Sequence, residues 1–190
     1  MFIIIGLGNP GEQYAMTRHN VGFMAVDGLN ERFQGSFKKA KGPYLLSDVS
    51  IQQTKVLLIK PLTYMNLSGQ AASHLVSYYK AEDLSKVLIV SDDFNLPFGT
   101  IRLRPSGSAG GQKGLLSIFE ALQTNAIARL RIGIGSEFKA AKSYVLSPFN
   151  RSEQKMLPDI LNWSADAIES FVVNGITNTM NLYNRNLLSD

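Results

Sequence analysis

The chain of 190 residues contains no cysteine, one tryptophan and two histidines. Without cysteine there is neither a disulfide framework nor a thiolate metal site. The two histidines have no clustered carboxylates around them, so neither metal nor cofactor is expected. No stretch approaches the ~18 to 20 consecutive apolar residues of a membrane span, and no membrane association is expected. The chain opens on Met1-Phe2-Ile3-Ile4-Ile5 with no basic region and no small-residue cleavage site, which predicts a cytoplasmic protein. It also lacks a G-x-S-x-G elbow, so water is the simplest nucleophile. Acidic residues are the minority sign, 15 against 19 basic, giving a net charge of +4. That excess suits a polyanionic partner without requiring one.

What is present reads as one α/β domain spanning 1–190, with 45% apolar residues and no internal repeat. After the opening strand, Val21, Met24, Ala25, Leu29 and Phe33 recur at helical spacing, and Asn20 is placed to cap that helix. Tyr44–Val49 and Gln53–Lys60 predict two strands, and Ser68–Lys80 a helix. Val87-Leu88-Ile89-Val90 reads as a strand buried on both faces that runs out into Ser91-Asp92-Asp93. Thr100–Arg104 alternates apolar and basic residues, Leu115–Leu122 predicts a helix, and Arg129–Gly135 another strand. Ser136–Asn150 has weak periodicity and reads as a mobile segment. Asn150-Arg151-Ser152-Glu153 has capping-box spacing and opens a helix to about Asn174, with a short helix after Gly175 to about Asn186. Strands interspersed with helices give a mixed, twisted sheet flanked by helices.

The richest stretch is Gly6 to Asn20. Gly6-Leu7-Gly8-Asn9-Pro10-Gly11 formally matches a dinucleotide fingerprint. No apolar helix opens directly after it, however, and the strand Val56–Ile59 ends in Lys60-Pro61 with no carboxylate for a ribose. His19 stands in a run of hydrogen-bonding side chains, whereas His74 lies between Ala72 and Leu75 and reads as structural or surface. Paired with a strand-end acid, Asp92 or Asp93, His19 makes a base with an orienting partner. Asn9 and Asn66 are suited to hold a carbonyl and a water.

The block from Gly6 to Gly11 with Tyr14 and Thr17-Arg18-His19-Asn20 resembles the opening signature of the bacterial peptidyl-tRNA hydrolases. Further blocks resemble that family in order: Lys60–Gly69, Asp92-Asp93 with Leu96-Pro97, Gly107–Gly111, and Arg129–Gly135. The resemblance implies an α/β enzyme, a carboxylic ester hydrolase that cleaves the bond between a peptide and the 3′ ribose of peptidyl-tRNA, recycling tRNA in translation as a monomer. It makes His19 the general base, Asp92 its partner, and Asn9 and Asn66 the residues positioning peptide and water. Tyr14 and Met65 become substrate-binding residues, and Arg104 and Arg131 hold tRNA phosphate, with Arg102 a further candidate.

One departure stands out. Where the family usually reads Gly-Gly-His-Asn-Gly, this chain has Gly110-Gly111-Gln112-Lys113-Gly114. Lys113 in the asparagine's place either stabilises the oxyanion and contacts the tRNA end, or marks an RNA-binding homologue that does not hydrolyse.

Overall fold

A computed structural model describes residues 1–136 and 140–189. Among these, eight strands form one sheet. They are β1 (Phe2–Gly6), β2 (Lys38–Lys39), β3 (Tyr44–Ile51), β4 (Thr54–Pro61), β5 (Val87–Asp93), β6 (Thr100–Arg104), β7 (Ala128–Gly133) and β8 (Arg185–Asn186). Their order is β2-β3-β4-β1-β5-β7-β6-β8. The middle four, β4, β1, β5 and β7, run parallel, and the outer strands are antiparallel. Being mixed, the sheet needs helices over its parallel centre and tolerates solvent at its antiparallel edges.

Side-chain alternation splits the core into two layers. Ile4, Leu58, Leu88, Val90, Leu130 and Ile132 face α1 (Val21–Arg32) and α5 (Arg151–Tyr183). Ile3, Ile5, Leu57, Ile59, Val87 and Ile89 face α2 (Ser68–Tyr79) and α3 (Lys113–Leu122). Every residue of β5 is buried, as its unbroken apolar run predicts.

The fingerprint glycines serve packing. A Cβ on Gly6 would stand 2.5 Å from the Gly22 carbonyl oxygen, and one on Gly22 would stand 2.4 Å from the Val90 oxygen. The pair lets α1 sit directly against the ends of β1 and β5. Gly11, at φ 110°, turns the chain after Pro10.

Several boundaries differ from the sequence reading. β5 extends through Asp93, so both acids belong to the strand. α3 begins at Lys113, not Leu115. Asn20 does not cap α1 through its side chain, because that amide exchanges two hydrogen bonds with the backbone of Asn9. The Asn150–Glu153 capping box is present and non-helical Gly175 (φ 75°, ψ 171°) divides α5 into a long and a short helix, both as expected; only the end differs, at Tyr183 and not about Asn186. The chain there turns extended and Arg185 pairs with Ile101. Within the segment read as mobile, 137–139 lie outside the described residues. Ala141–Val145 forms α4, and Thr17 bridges to Pro148.

Candidate active site

The site lies where β1 and β5 end. β1 has parallel neighbours reached in opposite directions across the sheet, which opens a crevice beyond the strand ends. Period-2 alternation gives the two acids of β5 different faces. Asp92 continues the face of Leu88 and Val90, toward α1 and the turn carrying His19. Asp93 continues the other face and pairs with Arg131. The structure thus selects between the two carboxylates. His19 Nδ1 lies 2.9 Å from Asp92 Oδ2, and Asp92 is 1% exposed. An ionised carboxylate only accepts, so Nδ1 carries a proton, and in the neutral ring Nε2 then keeps its lone pair.

Asn9 is fixed from both ends. Its backbone N–H donates to Asn20 Oδ1 and its carbonyl accepts from Asn20 Nδ2, both at 2.9 Å. Its side-chain Oδ1 accepts the Met65 N–H at 2.8 Å. That last bond assigns the amide, leaving the Asn9 NH₂ as a donor beside the cleft. Met65 opens a short 3₁₀ turn after β4, held by the Ser68 hydroxyl on its carbonyl.

Gln112, 5% exposed, closes the back of the site. Its Oε1 accepts the Leu115 N–H at 2.8 Å and so caps α3, while its Nε2 donates to Asp92 Oδ1 at 2.9 Å. His19, Asn9, Met65, Asn66, Asp92, Gln112 and Lys113 line one cleft of ≈ 500 Å³. Tyr64 and Phe94 add aromatic walls, and α4 supplies Lys142, Val145 and Leu146. Among the described residues no group of three or more His, Cys, Asp or Glu has metal-binding geometry. No helix among them is long and apolar enough to cross a membrane.

The family model described as peptidyl-tRNA hydrolase matches residues 3–189. The chain belongs to the peptidyl-tRNA hydrolase family. The peptidyl-tRNA hydrolase of Chlorobium phaeovibrioides is 47% identical over 188 residues, covering 97% of this chain and 98% of its own. That of Chloroflexus aurantiacus is 45% identical over 186 residues, with 97% and 99% covered. In structure, the peptidyl-tRNA hydrolase from Acinetobacter baumannii superposes with a TM-score of 0.91 at 31% identity, covering 98% of this chain and 95% of that one.

Not every residue that the family resemblance nominated gathers in the cleft. Tyr14 ends a 3₁₀ turn and is absent from the cleft lining; its carbonyl accepts from the Thr17 hydroxyl and N–H. Arg104 and Arg131 stand on β6 and β7, outside the cleft. Register pairs Arg102 with Arg131 and Arg104 with Arg129, so four arginines share one face of the sheet. Arg129 is 1% exposed and lies 4.7 Å over the Phe119 ring. Burial, together with the neighbouring Arg131, pulls its guanidinium down to about 10. His74 lies outside the site, stacked on Tyr78.

Sequence reasoning missed Arg18 and gave Gln112 no role. Arg18 is 5% exposed and forms a two-pronged pair with Glu153 at 2.9 and 2.7 Å. Its partner lies 135 residues away, so no local signal announces it. Gln112 precedes the apolar period of α3, the place of an N-cap, yet glutamine is not among the favoured cap residues.

Proposed function

We propose that this chain hydrolyses the ester between the peptide and the 3′ ribose of peptidyl-tRNA, with His19 as general base. The observation that carries the mechanism is the His19–Asp92 pair facing a cleft beside an amide donor of fixed orientation. A water in the cleft gives a proton to His19 Nε2 as its oxygen bonds to the ester carbonyl carbon. The carbonyl π pair moves onto oxygen, making an oxyanion. Asn9 Nδ2 and the Lys113 ammonium supply donors there, and a well-placed donor of this kind is worth about 3–4 kcal/mol. Asn66 orients the water or the peptide carbonyl. Collapse of the intermediate breaks the bond to the ribose 3′ oxygen, which takes the proton back from His19. Asp92 stabilises the imidazolium between the two transfers.

Met65 and the aromatic walls give the peptide an apolar bed. We assign Tyr14, on the loop that leads to His19, to contact with the tRNA end. Arg104 and Arg131, with Arg102, hold tRNA phosphate, contacts that position a nucleic acid without reading sequence and so suit an enzyme accepting many tRNAs. The reading of Lys113 as the mark of a non-hydrolytic RNA binder has no support, since relatives at 47% and 45% identity carry the hydrolase name.

The test is turnover: purified protein is incubated with peptidyl-tRNA in the presence of EDTA and release of free tRNA is followed. Release is expected with the wild-type chain and its loss with His19→Ala. No release, or release indifferent to His19→Ala, would sink the mechanism.

A further inference from the structure

We infer that Gln112 is a positioning residue for the hydrolytic reaction, acting on His19 through Asp92; this rests on the His19–Asp92 reading above. Two hydrogen bonds fix the Gln112 amide, and they cannot be exchanged. Turned over, it would set its carbonyl oxygen against the Asp92 carboxylate and its NH₂ against the Leu115 N–H, two like contacts in a buried place. Its Nε2 also lies 3.2 Å from Met65 Sδ, so the amide is held on a third side.

Each Asp92 oxygen therefore has one assigned donor among the described residues, His19 on Oδ2 and Gln112 on Oδ1. The carboxylate is buried, and among the described residues no lysine or arginine is paired with it. The charged groups near by are otherwise engaged or stand in the open cleft. Asp93 points to the opposite face and pairs with Arg131. Arg18, beside His19 in sequence, is occupied by Glu153. Lys113 and Lys142 line the cleft. Gln112 thus supplies a neutral donor that locks the carboxylate plane toward His19 and draws off part of its charge. Because the same amide caps α3, it also ties the first turn of that helix, where Lys113 stands, to the base. Base, acid and helix start share one rigid side chain.

Gln112→Glu separates the two bonds. The variant keeps an oxygen to cap Leu115, and a negative charge at a helix N-terminus is favourable. It loses the donor to Asp92, and with it the contact to Met65 Sδ, and sets a repelling oxygen against the carboxylate. The expectation is a fall in kcat of roughly ten- to hundredfold, the scale of a hydrogen bond to a charged group, with KM changed less than about twofold. Gln112→Leu, which removes the donor without adding charge, is expected to move the acidic limb of the kcat/KM profile to higher pH. A carboxylate no longer shared with an amide favours the imidazolium more strongly. Gln112→His retains an N–H donor and is expected to keep kcat within roughly fivefold of wild type.

Wild-type kinetics with Gln112→Glu, or an unshifted profile with Gln112→Leu, overturns the proposal while leaving the hydrolase reading intact. A wild-type enzyme without turnover overturns both. Should Gln112→Glu fail to fold, Gln112→Leu and Gln112→His decide: equal loss in both, with no shift of the profile, counts against the proposal.

Discussion

Replacing Arg18 by methionine removes a guanidinium that holds four parts of the chain together. Besides the Glu153 pair, Arg18 Nη1 donates to the Ile134 carbonyl at 3.3 Å and Nε to Ser147 Oγ at 3.4 Å. The guanidinium lies 4.5 Å from the Tyr144 ring centroid and 5.0 Å from that of Phe149. Stripping one partner from a buried pair costs about 3–5 kcal/mol when the other is left with an uncompensated charge. Glu153 is 13% exposed and still accepts the Asn150 N–H at 2.7 Å, which moderates the loss. About 2–4 kcal/mol is therefore expected for Arg18→Met, with methionine filling the space of the aliphatic stem. In a chain of this size that lowers Tm by roughly 4–16 °C. Urea titration of Arg18→Met, Glu153→Gln and the double variant gives the coupling, expected to be at least about 1.5 kcal/mol. Single variants within about 0.5 kcal/mol of wild type, or strict additivity, would refute the reasoning.

Arg129 is expected to cost stability at neutral pH. A base whose folded value, about 10, lies below its ordinary one destabilises the fold at every pH below both, and the cost fades as pH rises from the folded value toward the ordinary one. The penalty, offset by the Arg129 hydrogen bond to the Asn125 carbonyl and the Phe119 contact, leaves Arg129→Met more stable by about 1–2 kcal/mol in urea at pH 7; a less stable variant contradicts this. Arg104→Ala is expected to weaken tRNA binding and to reduce the slope of log K against log salt by about 0.7–0.9, measured by filter binding; an unchanged slope excludes a phosphate contact. For Lys113, the asparagine variant is expected to retain measurable turnover and the alanine variant to lose it in part. Three equal rates would remove Lys113 from catalysis.

Local patterns were legible wherever the physics is local. The unbroken run Val87–Val90 specifies a strand covered on both faces, and Asn150 with Glu153 forms the reciprocal cap that its spacing predicts. The ordered blocks also made the family readable from the chain, and His19 and Asn9, which they named, line one cleft. What failed was choice among partners. Asn20 has the right chemistry and place for a helix cap, yet two bonds to the Asn9 backbone outcompete one cap bond. By residue type alone Asp92 and Asp93 are indistinguishable, and it took the family resemblance to name Asp92; the strand register, which carries β5 through both, sends that one toward His19 and Asp93 toward Arg131. Arg18 and Gln112 depend on contacts across 135 and 20 residues, and neither leaves a periodic trace.

Those long-range contacts explain how a short loop becomes a precise site. In the run Thr17 to Asn20, three residues are tied to three different places. Thr17 bridges to Pro148, Arg18 is held by Glu153, and Asn20 is bound to Asn9. Only His19 turns into the cleft, its far nitrogen held by Asp92 and Asp92 in turn by Gln112. The backbone around His19 is thus set by groups that take no part in the proton transfer proposed for it. Catalysis by oriented donors depends on their not having to reorganise as charge develops. On the mechanism proposed above, the buried arginine and glutamine order the resting enzyme, and the conformational cost of that order is met on folding, before substrate arrives.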